Sequence, residues 1–182
     1  NLKNLNIAII GLGYVGLPLL ITFAKKYSVI GFDINQKRVE ELKLGIDNTK
    51  EISTKKILEA DNIEFSSNLN DLSAASIYIL TIPTPIDENN VPDLSILKNA
   101  CENVGAYLKE NDIVIFESTV YPGCTEEFCV PILEKISGLK YNENFYCGYS
   151  PERINPGDKV NTIDKVIKIT SGSTPEIAKK ID

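Results

Sequence analysis

Apolar residues in this chain come in short unbroken runs, and the stretches between the runs carry apolar residues at helical spacing. The runs at 5–10 (LNIAII), 28–33 (SVIGFD), 76–82 (SIYILTI), 112–118 (DIVIFES) and 145–150 (FYCGYS) have strand length and little alternation. That pattern predicts strands covered on both faces. Residues 62–67 (NIEFSS) and 165–172 (KVIKITSG) predict two more strands. Between them, 14–27 reads as an apolar helix in which Pro18 removes one hydrogen bond near the end of the first turn. A short amphipathic helix over 35–45 is capped by Asn35 and stopped by Gly45. A second short helix starts at the Ser53/Thr54 cap. After the turn-rich PTPIDENNVPD, Asp93 caps a helix over 94–110. A further helix spans 122–136, with Glu126 and Glu127 in its first turns, and Thr174 and Pro175 open a last one. Residues 150–164 form one long irregular stretch, a length that within a domain goes with function or disorder.

Strands alternating with helices predict an α/β fold: a Rossmann-like, doubly wound, mainly parallel sheet with helices on both faces, in one domain over 1–182. With 182 residues, 43% hydrophobic and 24% charged, the chain can bury a sizeable core. The net charge is −6 and Lys and Arg form no long run, which argues against a nucleic-acid partner. Histidine is absent, excluding His-ligated metal and imidazole catalysis within these residues. No apolar stretch reaches membrane-spanning length and the start is not a signal peptide, so no membrane partner and a cytoplasmic location are expected. Cys101, Cys124, Cys129 and Cys147 are irregularly spaced with no CxxC, which predicts buried free thiols rather than a metal site or a disulfide framework.

The first strand runs into G-L-G-Y-V-G (11–16) just where a helix begins. Glycine weakens regular structure by about 1 kcal/mol per helical position, so three together need a reason. Gly11 allows the tight turn, Gly13 without a Cβ lets a diphosphate approach the backbone, and Gly16 lets helix and strand close up. The helix N-terminus then faces the anion. The second strand ends in Asp33, 22 residues after Gly11, placed to accept from adenosine ribose hydroxyls and to repel a 2′-phosphate. NAD is therefore expected over NADP. Arg38 is expected near the adenine or the diphosphate, its alternative being a solvated helix residue. A methyl-donor site is the competing reading of the same loop, although such sites usually lack the third glycine.

Ligands of open α/β sheets bind beyond the carboxyl ends of the strands. There Pro83 and Pro85 stiffen an apolar wall, and Thr84 and Thr119, with Ser118 beside it, offer hydroxyls. Glu152 in the loop after the sixth strand could move protons, though a loop Glu alone is more often solvated. Cys124 sits at a helix start that would favour its thiolate, but with no base nearby a structural role is preferred.

The segments IAIIGLGYVGLPLL, GFDINQKRVEEL, TIPTPID, ESTVYPGCTEE and YSPERINPGD, in this order, resemble the UDP-glucose/GDP-mannose dehydrogenase family from about residue 6 to the end. The last is most similar to the branch acting on UDP-N-acetylhexosamines in capsule and O-antigen biosynthesis. The family oxidises the C6 hydroxyl of a nucleotide sugar to a carboxylate with two NAD+. The resemblance implies a cofactor set of Gly11, Gly13, Tyr14, Val15, Gly16, Asp33, Arg38, Pro83, Thr84, Ser118 and Thr119. It implies Glu152 as the acidic residue assisting proton transfer or positioning a water, with Arg153 and Asn155 near the sugar. Two departures stand out. The second Glu of the UDP-glucose branch is replaced by Pro156, and none of the four cysteines lies in the family's Gly-rich nucleophile motif. The nucleophile, the central helix that normally pairs a homodimer, and the nucleotide-sugar domain are thus expected outside these residues. The fragment is expected to bind NAD without turning over a UDP-sugar alone. A stand-alone NAD-binding or redox-sensing module is the alternative.

Overall fold

The computed structural model describes residues 6–86, 92–152 and 167–182. Its centre is a seven-stranded sheet: β1 (Asn6–Ile10), β2 (Ser28–Phe32), β3 (Ile63–Ser66), β4 (Ile77–Leu80), β5 (Ile113–Phe116), β6 (Tyr146–Tyr149) and β7 (Ser171–Gly172). Their spatial order is β3-β2-β1-β4-β5-β6-β7. The first six strands are parallel, and β7 joins β6 antiparallel. The order reverses between β1 and β4, so the crevice for a ligand opens at the carboxyl ends of those two strands.

The runs without alternation become strands with apolar contacts on both faces. One face packs Ile10, Phe32, Leu80 and Phe116 against α4 (Ser95–Gly105) and α5 (Val130–Ser137). The other packs Ile7, Ile9, Ile79 and Ile115 with α1 (Gly16–Ala24), α2 (Gln36–Lys43), α3 (Thr54–Leu58) and α6 (Pro175–Ile181). Leu17, Leu20, Leu72, Leu97 and Leu133 are fully buried between helices and sheet.

Several boundaries moved. Pro18 is tolerated in the first turn of α1, flanked by Leu17 N–H to Gly13 O (3.2 Å) and Leu19 N–H to Val15 O (3.2 Å). Asn35 caps α2 as expected, accepting from the Arg38 amide. Asp93 accepts from the Ser95 amide (2.9 Å) in a turn that precedes α4, and α4 stops at Gly105 rather than 110. The expected helix over 122–136 is not one α-helix. Thr125–Cys129 is a π turn whose Val130 amide reaches back to Thr125 O. Pro131 explains it: in a continued α-helix its ring would strike the carbonyl of Glu127, and the wider turn avoids this. The expected strand over 165–172 pairs only at Ser171–Gly172; 165–166 and most of the irregular 150–164 lie outside the described residues. A 3₁₀ turn at Leu69–Ala74, capped by Asn68, went unpredicted, since its one buried apolar residue, Leu72, gives no period.

Candidate functional site

The glycine turn sits at the switch point between β1 and β4. Gly11 has φ +93°, and its N–H donates to Phe32 O (2.8 Å). A Cβ at Gly16 would lie 1.8 Å from Gly11 O and 2.5 Å from Thr81 Oγ1, so helix and strand meet there only because Gly16 is bare. Gly13 differs: a Cβ there would meet nothing within 4 Å. Its missing side chain keeps open space rather than a close contact. Helix α1 begins here with no side-chain cap. Among the described residues, the turn's hydrogen bonds use none of the Tyr14, Val15 and Gly16 amides. An opening lined by uncapped amides suits a diphosphate.

Leu12 is held at both ends of its backbone. Its N–H donates to Asp33 Oδ2 (2.9 Å), while Asp33 Oδ1 accepts from the Asn35 N–H (2.9 Å). The carboxylate therefore faces the glycine turn, with lone pairs left for further donors. The Leu12 carbonyl accepts from Arg38 Nε (3.0 Å) and Nη2 (2.8 Å). Arg38 Nη2 also pairs with Asp47 Oδ1 at 2.8 Å, with side chains 11% and 1% exposed. Asp47 collects four further donors: the Thr49 amide and hydroxyl and the Glu51 and Ile52 amides. Burial works to raise the Asp47 pKa, but the Ile52 amide, Thr49 hydroxyl, Arg38 and the Thr49 amide outweigh it and hold it below the ordinary value. Arg38 is thus no solvated helix residue. It braces the back of the turn.

The other strand ends are tied to one another. Ser118 is buried; its hydroxyl donates to Ile82 O (2.6 Å) and accepts from Ile82 N (3.2 Å), locking the end of β5 to that of β4. The Thr84 hydroxyl donates to Thr119 O (2.5 Å), bringing the two threonines together. Pro83, Tyr14 and Thr119 are exposed. Glu152 is half-buried after β6, and its carboxylate acts on Glu117 at the end of β5. Arg153 and Asn155 lie outside the described residues.

Three participants were not read from the sequence. The Thr81 hydroxyl donates to Gly11 O (2.7 Å) and seats the turn on β4. Asp47 lies in a polar stretch, IDNTKE, that looks like an ordinary solvated loop. Glu117 forms a buried ion pair with Lys168, 51 positions further on. The four cysteines are buried and free. Burial, together with Cys129, pushes the Cys124 thiol up to about 11, the opposite of what its helix start alone would give. Among the described residues no cluster could hold a metal, and no helix is long and apolar enough to cross a membrane.

The family model of the UDP-glucose/GDP-mannose dehydrogenase family, NAD binding domain, matches residues 5–181. The chain belongs to that family. The UDP-N-acetyl-D-glucosamine 6-dehydrogenase of Pseudomonas aeruginosa is 57% identical over 181 residues, spanning 100% of this chain and 43% of that protein. Protein CapL of Staphylococcus aureus is 55% identical over 174 residues, covering 96% and 41%. Among solved structures, the NDP-N-acetyl-D-galactosaminuronic acid dehydrogenase of Methanosarcina mazei Go1 superposes with TM-score 0.90 at 31% identity, covering 98% of this chain and 41% of that one. The chain thus spans less than half the length of the curated relatives it matches. Membership in the dehydrogenase family identifies it as an NAD-binding domain and removes the methyl-donor reading of the glycine turn.

Proposed function

We propose that this domain is the cofactor half of a cytoplasmic, homodimeric UDP-N-acetylhexosamine 6-dehydrogenase. In this reading the enzyme oxidises the C6 hydroxyl to a carboxylate with two NAD+. The observation that carries it is the pairing of an open Gly13 with an uncapped α1 and an Asp33 carboxylate turned toward them. The bound nicotinamide supplies the hydride acceptor. The amides of Tyr14, Val15 and Gly16 hold the diphosphate, and Asp33 accepts from the ribose hydroxyls. Arg38 supports this side through Leu12. Pro83, Thr84 and Thr119 wall the nicotinamide end. Ser118 serves by fixing that wall, because its hydroxyl is committed to Ile82. Glu152 takes the substrate proton or positions the water needed for the second oxidation, and Arg153 and Asn155 approach the sugar. The partner half of the enzyme contributes the nucleophile and most of the sugar site.

Calorimetry of the domain tests the cofactor half. Saturable binding of NAD, with weaker NADP and no S-adenosylmethionine binding, supports the reading; absence of NAD binding overturns it. NADH formation by the full-length enzyme with UDP-N-acetylglucosamine tests the substrate. Turnover of UDP-glucose alone would reassign the branch.

A further inference from the structure

The apolar run of β4 ends in a buried threonine. Thr81 is 8% exposed, and a buried hydroxyl costs free energy unless it is bonded. The Thr81 N–H continues the ladder to Ile10 O (2.9 Å), so that carbonyl has its donor without the side chain. The hydroxyl lies 3.1 Å from Ile10 O, but its closer acceptor is Gly11 O at 2.7 Å. Gly11 stands past the end of β1, beyond the reach of the strand ladder. Among the described residues, the Thr81 hydroxyl is the donor its carbonyl receives.

Thr81 also meets both outer glycines of the turn. A Cβ on Gly11 would lie 2.9 Å from Thr81 O, and one on Gly16 would lie 2.5 Å from Thr81 Oγ1. One residue of β4 thus fits the start of the turn and the start of α1. The other clamps come from the β2 side. The Gly11 N–H donates to Phe32 O, the Leu12 N–H donates to Asp33, and the Leu12 carbonyl accepts from Arg38. With Thr81 on the Gly11 carbonyl, every backbone polar group of Gly11 and Leu12 is held, and Thr81 is the clamp from across the switch point. The Tyr14, Val15 and Gly16 amides that follow are left uncommitted. Fixed backbone ahead of free donors is preorganisation: an anion need not order the turn as it binds.

We propose that Thr81 is a positioning residue for the cofactor diphosphate. Its hydroxyl fixes the Gly11 carbonyl, and with it the direction of the three amides. This rests on the reading that the diphosphate binds those amides. Thr81 acts through Gly11 and not on the cofactor itself.

The test is NAD titration and steady-state kinetics of the full-length enzyme. Thr81→Ala removes the hydroxyl without adding bulk, and Thr81→Ser keeps it. One hydrogen bond of ordinary net strength corresponds to about three- to tenfold in affinity. Thr81→Ala should raise the Kd and KM for NAD by that factor and leave the KM for the UDP-sugar at its wild-type value. Thr81→Ser should restore NAD binding. Thr81→Val should be worse than Thr81→Ala, because a methyl cannot sit 2.7 Å from the Gly11 carbonyl as the hydroxyl does. Adenosine, which lacks the phosphates, should bind every variant as it binds wild type in an NMR titration. A merely structural threonine would lower the melting temperature while NAD affinity, measured well below melting, stayed put. That pattern, equal weakening of NAD and adenosine, or a Thr81→Ser variant no better than Thr81→Ala overturns the proposal. Should Thr81→Ala and Thr81→Val not fold, Thr81→Cys keeps the size with a weaker donor. Weakened NAD with unchanged adenosine then supports the proposal, and unchanged NAD overturns it. Gly13→Val separates the proposal from the reading beneath it. If that variant binds NAD as wild type does, the diphosphate lies elsewhere and both fall. If it weakens NAD while Thr81→Ala does not, the role of Thr81 alone falls.

Discussion

Arg38 and Asp47 meet at 2.8 Å beneath the glycine turn, and through them a loop far from the cofactor crevice sets the position of Leu12. Removing one member of a buried pair leaves the other charged and unsatisfied, at a cost of about 3 kcal/mol or more. Asp47→Ala should therefore lower the unfolding free energy measured by denaturant titration by that amount. It should also weaken NAD, because the Leu12 carbonyl loses its brace. The pH dependence follows from the sign. The folded pKa lies below the ordinary aspartate value, so the stabilisation is present above the unfolded pKa and is lost as pH falls through the folded one. Below about pH 4 the wild-type and variant melting curves should converge.

The three glycines separate into two kinds, and substitution distinguishes them. Gly16→Ala places a methyl 1.8 Å from Gly11 O, so backbone must move. A stability loss of about 2 kcal/mol is expected from such overpacking. Gly13→Val meets no protein atom within 4 Å, so melting temperature should hold. Its NAD affinity should fall at least tenfold, roughly 1.4 kcal/mol, because the side chain fills the space left for the ligand. An unchanged affinity would show that the diphosphate lies elsewhere.

Much of this was legible because the relevant signals are local. Asp33 and the glycine turn are each read from a strand end, and the runs without alternation fix a sheet covered on both faces. What escaped depends on contacts that spacing does not encode. Asp47 is recognisable as structural only once the turn after α2 folds it under Arg38. Glu117 reads as the polar end of a strand, since Lys168 is 51 positions away. The π turn hides because Glu126 and Glu127 look like a helix start, while the residue that widens it, Pro131, comes later. Ser118 was read toward the crevice; its hydroxyl turns inward to Ile82.

At the opposite end of β5, Asp112 is 3% exposed and accepts from the Lys109 amide (2.8 Å). Desolvation raises its pKa to about 6 against the pull of the Lys109 amide and charge. Because the folded pKa is above the unfolded one, the native state holds this proton more tightly. Stability from this group is therefore full at pH 4 and falls as pH rises through about 6. Asp112→Asn keeps an acceptor for Lys109 and cannot ionise. It should be more stable than wild type at pH 7.5, by on the order of 2 kcal/mol, with the gap closing by pH 4. Chemical denaturation at the two pH values measures it.

Cofactor preference offers the sharpest check on Asp33, because the same carboxylate has two jobs. In the proposed function it repels a 2′-phosphate, and it also anchors the Leu12 and Asn35 amides. Replacing it should not simply open the site to NADP. Accepting a 2′-phosphate takes a cation, and the arginine nearest the turn is committed to Leu12 O and Asp47. Asp33→Asn should thus lose NAD affinity about tenfold while NADP remains the weaker ligand, in paired calorimetric titrations. Parity between the two cofactors would mean that Arg38 lets go of Asp47 when the carboxylate is neutralised. Combining Asp33→Asn with Asp47→Ala releases that guanidinium deliberately, and only there should NADP draw level.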